Sequence, residues 1–500
     1  MSERSLPWEQ LTGPVSGLPT DEPHRIDVQR EAIPLIFVPG VMGSRLRRAG
    51  SNAAGRRTEH GFDLPDLRWD PGDSGFLWEL LRSSAAKRKM LVIGPQFDPG
   101  YLEVDDANPV GDGFQGLFSA YRGFLRTLRT RDWGALGKLF VFPVYGFGYN
   151  WTDDNRNSGR RLAARIDEVI AEARSVVGRC EKVILISHSM GGLMSRAASE
   201  LSGAQGKILG IVHGVQPVTG SAAAYWRIKA GFEGFGGASY VLGSNGRETT
   251  PILANSPGGL ELLPNAHYRT EAGARQWLTV RNGDDTLVAL PRADPYEEIY
   301  RVPAVVSPPA GAGASGNAYW GLVDPDLLTP EVVPATPGGT RSANDDLADA
   351  MSPAGTAAWS SYTALLDKAK SFHGSLGVRH HPNTFTFWGT GHASAGTIRM
   401  NVTSNWVRSE SYPTRGFRGF FRDAEGSSMQ AVLADPAGPG DGTVPVSSGR
   451  ALADAAREAP GDAAIAVEHQ PAYEDPAAQR YTVRAVLALV RKHYRARTGR

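Results

Sequence analysis

A single cysteine, Cys180, stands in 500 residues. An intramolecular disulfide is excluded, and so is a zinc site built on thiolates; Cys180 reads as a small residue beside a strand. No apolar run is long enough to cross a bilayer, and the longest, Ile33 to Met42, falls well short. The first thirty residues are polar and rich in proline, and they hold no apolar segment of the signal-peptide kind. The expectation is a soluble chain made in the cytoplasm, with export by a route that needs no cleaved signal left open. An excess of charge of one sign is missing too: 53 Lys and Arg face 52 Asp and Glu, for a formal net charge of +1. A nucleic-acid binder should carry a strong basic excess, so that class is disfavoured. No His-Glu-x-x-His pattern and no cluster of paired carboxylates appears, so neither a metal nor another cofactor is expected.

What is present is a set of short, continuous apolar runs. They are Ile33–Val38, Leu139–Val144, Val183–Ile186, Ile208–His213, Thr384–Trp388 and Ala463–Val467. Runs of this length, rich in β-branched and aromatic residues, read as strands buried on both faces of a parallel sheet. Amphipathic helical spacing separates several of them, over Gly159–Val177, Met190–Leu201 and Ala477–Tyr494. Strands alternating with helices predict an α/β class with a mostly parallel, doubly wound sheet. Stretches 45–137, 218–380 and 391–440 do not fit the alternation and read as lids or covers. The expected organisation is an N-terminal arm (1–30), a first core part (31–217, with 45–137 inserted), a lid or cap (218–380), and a second core part (381–500).

The most informative segment is Val183-Ile184-Leu185-Ile186-Ser187-His188-Ser189-Met190-Gly191-Gly192. A strand runs into a helix across a small-x-Ser-x-Gly turn, the nucleophile-elbow arrangement. Such a turn is sharp and strained, so that the serine oxygen projects above the sheet. The residues two before and two after must be small, because the strand and helix backbones approach closely. Gly191 meets that demand, and Ser187 stands where glycine is commoner. A helix N-terminus beneath Ser189 would favour developing negative charge.

In this fold the partners follow the serine in the order acid, then histidine. His469 ends an apolar run, at the strand edge where α/β sheets build sites. His493 sits in a basic helix end and reads as a solvated side chain. The acid candidate is Asp441, set between Gly440 and Gly442, with Asp435 in reserve. The expected oxyanion donors are the backbone N–H groups of Met190 and of Val41, the latter in the glycine-bearing loop Val38-Pro39-Gly40-Val41-Met42-Gly43-Ser44.

These pieces, with Tyr149-Asn150-Trp151, Trp388-Gly389-Thr390-Gly391, Gly440-Asp441-Gly442-Thr443-Val444-Pro445 and Glu468-His469, resemble the lecithin:cholesterol acyltransferase family and its lysosomal phospholipase A relatives. The resemblance implies an α/β-hydrolase core with lid or cap insertions and activity on phospholipid acyl chains. It implies Ser189, Asp441 and His469 as the triad, Val41 and Met190 as oxyanion donors, and Trp151 near the substrate. The stretch Glu248 to Pro264 also resembles bacterial lipase effectors of the type VI secretion class, which need no signal peptide. The disulfide-pinned lids of the animal members cannot be carried over, because the cysteines are absent.

The expected partner is a lipid or another acyl ester, cleaved through an acyl-enzyme. Transfer of the acyl group to an acceptor alcohol, or a non-catalytic binding module on the same fold, are the alternatives. Two segments combine apolar and aromatic residues with cations: Phe76–Leu81 followed by Lys87-Arg88-Lys89, and Ala222–Phe232. Each suits either transient contact with a membrane surface or packing on the core.

Overall fold

The computed structural model describes residues 30–48, 97–101, 121–232, 243, 246–304, 320–328, 356–403, 420–422, 428–433, 438–453 and 461–498. The reserve acid Asp435 and the segment Phe76–Lys89 lie outside the described residues, as does most of 45–137.

Six strands form one parallel sheet: β1 (Leu35–Val38), β2 (Val144–Gly146), β3 (Val183–His188), β4 (Ile208–Gly214), and, much later in the chain, Thr384–Gly389 and Ala464–Ile465. Between β4 and Thr384 come β5 (Leu278–Asn282) and β6 (Asp285–Leu290), so the late core strands are β7 (Thr384–Gly389) and, after β8 (Ile398–Thr403), β9 (Phe420–Arg422) and β10 (Ser428–Leu433), β11 (Ala464–Ile465). The order across the main sheet is β11-β7-β4-β3-β1-β2.

Prolines decide where two of the expected runs break. Proline has no N–H to give to a ladder. At Ile33-Pro34 the chain divides into the pair Glu31–Ala32, which faces Phe140–Val141, and β1, which faces β2 and β3. At Pro143 the expected run 139–144 divides in the same way. Both proline carbonyls remain useful: Leu35 N–H donates to Pro143 O at 2.8 Å, and Ile184 N–H donates to Pro34 O at 2.8 Å.

Successive residues of the central strands alternate between two apolar layers. Ile36, Val38, Leu185 and Ile211 face a layer built on α2 (Asn155–Val177) and α3 (Gly191–Leu201), through Leu162, Ile166, Val169, Leu193 and Met194. Leu35, Phe37, Ile184, Ile186 and Val212 face the opposite layer, with Phe124, Leu125 and Leu128 of α1 (Arg122–Thr130) and Val483, Val486 and Val490 of the C-terminal helix (Pro476–Thr498). Helix α2 begins four residues before the expected Gly159, because the Asp154 side chain caps the Arg156 N–H at 2.6 Å. Gly159 then falls inside the helix, where a Cβ would stand 2.8 Å from the Ala197 Cβ of α3. The absence of that carbon sets the close crossing of the two helices.

The region expected to be a cover adds α4 (Ala222–Ala230), α5 (Gly246–Leu253), the short α6 (Pro257–Leu260) and α7 (Thr356–Leu376), which makes the C-terminal helix α8. Its apolar side chains, among them Trp226, Trp277, Tyr300 and Tyr362, are continuous with the layer on α2 and α3. A second, five-stranded sheet runs β6-β5-β8-β10-β9. It draws β5 and β6 from one side of residue 380 and β8 to β10 from the other, so chain on both sides of the expected boundary at 380 builds this sheet. Among the described residues no helix is long and apolar enough to cross a membrane.

Candidate active site

The turn from β3 to α3 is strained. Ser189 has φ 53°, a left-handed backbone that a serine adopts only when its surroundings impose it. The imposition is visible on both sides. Ser189 N–H donates to Gly214 O at 3.0 Å, and Gly192 N–H donates to Ser189 O at 2.9 Å. A Cβ on Gly191 would lie 2.4 Å from Pro39 O and 2.5 Å from Val38 O, so only glycine fits there. The serine at 187 is accommodated by a partner: its hydroxyl lies 2.7 Å from Nδ1 of His213, on the neighbouring strand β4. The departure from glycine therefore fills a built position.

Strand β11 ends at Ile465 and delivers His469 to the same edge of the sheet. Its Nδ1 is 2.7 Å from Asp441 Oδ2, and its Nε2 is 2.8 Å from Ser189 Oγ. A carboxylate oxygen accepts, so Nδ1 carries the proton and Nε2 is left to accept from the serine hydroxyl. The second carboxylate oxygen, Oδ1, takes the N–H groups of Thr443 at 2.9 Å and Val444 at 2.6 Å. The Asp441 carbonyl takes the His469 N–H at 2.8 Å. Gly442, at φ 89°, gives the tight turn that aims the carboxylate inward. All three side chains are buried: Ser189 is 3 % exposed, Asp441 1 % and His469 5 %. Three residues separated by up to 280 positions in the sequence thus form one hydrogen-bonded line.

The loop after β1 turns back over Ser189. Gly43 N–H donates to Gly40 O at 3.0 Å, with Val41 and Met42 at the apex and Met42 at φ 63°. Among the described residues, the N–H groups of Val41 and Met190 have no partner. Val41, Met42, Ser189 and His469 line one open cleft with Ala224, Ile228, Phe232, Leu253 and Leu262, whose empty volume including the mouth is about 670 Å³. Its walls are largely apolar. Arg227 is the charged side chain in the lining; it reaches Thr443 Oγ1 at 3.2 Å and lies over the Phe232 ring at 5.3 Å. Ser221, the N-cap of α4, donates its hydroxyl to the Thr443 carbonyl. The cover helix is thereby tied to the turn that carries Asp441.

One sequence expectation finds a different place, and one open pair of readings narrows. Trp151 does not line the cleft. It is 1 % exposed in the core, and the carbonyl of the next residue, Thr152, receives Ser256 Oγ at 3.0 Å and Gly258 N at 3.2 Å. Its segment braces α6, which carries cleft residue Gly259. The stretch Ala222–Phe232, for which membrane contact and core packing are the two readings, forms α4 with Tyr225, Trp226 and Lys229 buried in the core, while Ile228 is buried at the edge of the cleft. Tyr121, Ser221 and Arg227 carry no signal in the sequence, because their contacts with the site span long separations and leave no local pattern; Tyr149, quoted for the resemblance, donates its hydroxyl to Pro39 O at 3.0 Å beneath the loop after β1. His188 stands at an unspecified position of the elbow pattern, which assigns it no role.

No protein-family model matches the chain, and no curated protein matches it. Among solved structures, a chain of the crystal structure of the Tle4–Tli4 complex is 25 % identical, with a TM-score of 0.65 over 93 % of this chain and 99 % of that one. A lipase of Bacillus licheniformis, BlEst2 in mature form, is 15 % identical over 52 % of this chain and 73 % of that one, with a TM-score of 0.19, too low to bear on the fold. The narrower resemblance to lecithin:cholesterol acyltransferases is carried by the motifs alone. The likeness runs to a chain of the Tle4–Tli4 complex, and the fold is that of an α/β-hydrolase.

Proposed function

We propose that the chain is a serine hydrolase of lipid acyl esters, of the lipase or phospholipase A kind. The observation that carries this reading is the line Ser189 Oγ–His469 Nε2, His469 Nδ1–Asp441 Oδ2 at the floor of a largely apolar cleft. In the proposed reaction His469 takes the Ser189 proton as Oγ attacks the ester carbonyl. Asp441 keeps the imidazole in the tautomer that can do this and stabilises its charged form. The N–H groups of Val41 and Met190 receive the oxyanion. His469 then protonates the leaving alcohol. Water, deprotonated by His469, resolves the acyl-enzyme and restores the serine. The apolar cleft supports an acyl chain as the bound portion, at about 0.8 kcal/mol for each methylene removed from water. The likeness to a chain of the Tle4–Tli4 complex supports the lipase reading, and with the effector-like stretch Glu248–Pro264 it also supports a role as a delivered effector that forms a complex with a partner protein.

The test is release of fatty acid from defined phospholipids and from neutral glycerides by the wild type and by Ser189→Ala. The variant should lose activity by roughly 10⁴–10⁶-fold, and a fluorophosphonate should label the wild type at Ser189. Undiminished hydrolysis by Ser189→Ala would sink the proposal.

A further inference from the structure

His188 stands beside Ser189 in the elbow, and its ring points away from the cleft into a chain of contacts. Its Nε2 lies 2.8 Å from the His469 carbonyl oxygen. A carbonyl only accepts, so Nε2 carries the proton and donates. Burial, with His469 adjoining, pushes the His188 pKa down to about 3, so the ring is neutral and Nδ1 is an acceptor. Tyr121 O–H is 2.7 Å from that Nδ1 and donates to it. The Tyr121 oxygen is then free to accept, and it receives the Gly40 N–H at 3.2 Å. Every direction in this chain is fixed: Gly40 N–H to Tyr121, Tyr121 O–H to His188, His188 N–H to His469. Its two ends are the loop that bears Val41 and the main chain of His469.

The packing leaves these groups no alternative arrangement. His188 is 2 % exposed and Tyr121 6 %. Their rings meet edge to face at 5.3 Å, and Tyr473 closes the other side of His188 at 5.9 Å. A Cβ on Gly40 would stand 2.8 Å from His188 Nδ1 and 3.0 Å from Ser189 Cβ. The loop can approach the elbow this closely only because Gly40 lacks that atom. Because the Gly40 N–H is taken by Tyr121, the next N–H along the turn, that of Val41, is the one left for an oxyanion.

We infer that His188 and Tyr121 are positioning residues, which hold the loop bearing the Val41 N–H in register with the main chain of His469. This inference rests on the reading of Ser189, His469 and Val41 given above. Neither residue touches the substrate. Their effect lies in the chemical step, because a donor displaced by about 1 Å costs on the order of 100-fold.

The experiment compares the wild type with Tyr121→Phe, His188→Phe, His188→Gln and the Tyr121→Phe/His188→Phe double variant. The readouts are the rate of fluorophosphonate labelling of Ser189, and kcat and KM on a short-chain p-nitrophenyl ester, at a temperature where thermal melts show each variant folded. Tyr121→Phe should slow labelling and lower kcat by about 100-fold with KM within a factor of two. The double variant should lose little beyond the worse single one, since both break the same chain. His188→Gln keeps one donor and one acceptor and should retain more activity than His188→Phe. Tyr121→Phe labelled at the wild-type rate, a loss expressed only in KM, or single losses that multiply in the double variant would each overturn the inference while leaving the proposed hydrolase intact. A wild type that the probe leaves unlabelled overturns both.

Discussion

Replacing Lys229 with methionine should flatten the pH dependence of stability. Lys229 lies in the cover helix α4, 4 % exposed, and its Nζ donates to the Gly321 carbonyl. Burial pushes its pKa down from 10.5 to about 7, against the smaller opposing pull of Asp324. Between those two values the unfolded chain holds a proton that the folded chain lacks. Stability therefore rises with pH across this window and is flat below it. With a folded value near 7 and an unfolded value near 10.5, the Lys229 contribution improves by about 2 kcal/mol between pH 7 and pH 9. Lys229→Met removes the titrating group while keeping a long, unbranched stem, so its stability curve should be flatter than the wild type by that amount. Urea denaturation of both proteins at pH 6, 7, 8 and 9 gives the comparison, because every other titration cancels in the difference. Parallel curves would refute the argument, whatever offset separates them.

Two further outcomes follow from other parts of the molecule. Ala224 lines the cleft, so Ala224→Phe should move the preferred ester toward shorter chains, with kcat/KM falling about tenfold for every two methylenes displaced; an unchanged profile over a series of p-nitrophenyl esters would show that the acyl chain lies elsewhere. Gly178 ends α2 at φ 88°, and Gly178→Ala should cost about 1 kcal/mol in urea denaturation with activity unaltered.

The parts of the fold that could be read from the sequence are those whose cause is local. A strand buried on both faces must be apolar throughout, and β3 and β4 announce themselves in that way. The elbow is legible because a Cβ at Gly191 would collide with the carbonyl oxygens of Val38 and Pro39, so only glycine is admitted there. The second sheet was not legible. Strand β5 is buried at Leu278 and Val280 with partly exposed residues between, and β6 is mostly exposed along its first half. Neither pattern separates from loop without knowledge that β8 pairs with β5 from 120 positions away. Asp441 and His469 could be found because glycine and a strand end mark them and chain order narrows the choice. Tyr121 could not, because nothing near it in the chain reflects a hydrogen bond to residue 188.

The five-stranded cover sheet also governs how this chain can be shortened. Its middle strand β8 pairs with β5 on one side and with β10 on the other. Excising 218–380 as though it were one detachable insert would remove β5 and β6 and strip β8 of a neighbour. A row of unpaired N–H and C=O groups would open beside Ile398 and Met400, which are now buried. An open, apolar strand edge recruits other chains. A trimmed version should therefore aggregate before it reveals anything about access to Ser189, and the cover is better opened by substitutions within it than by deletion.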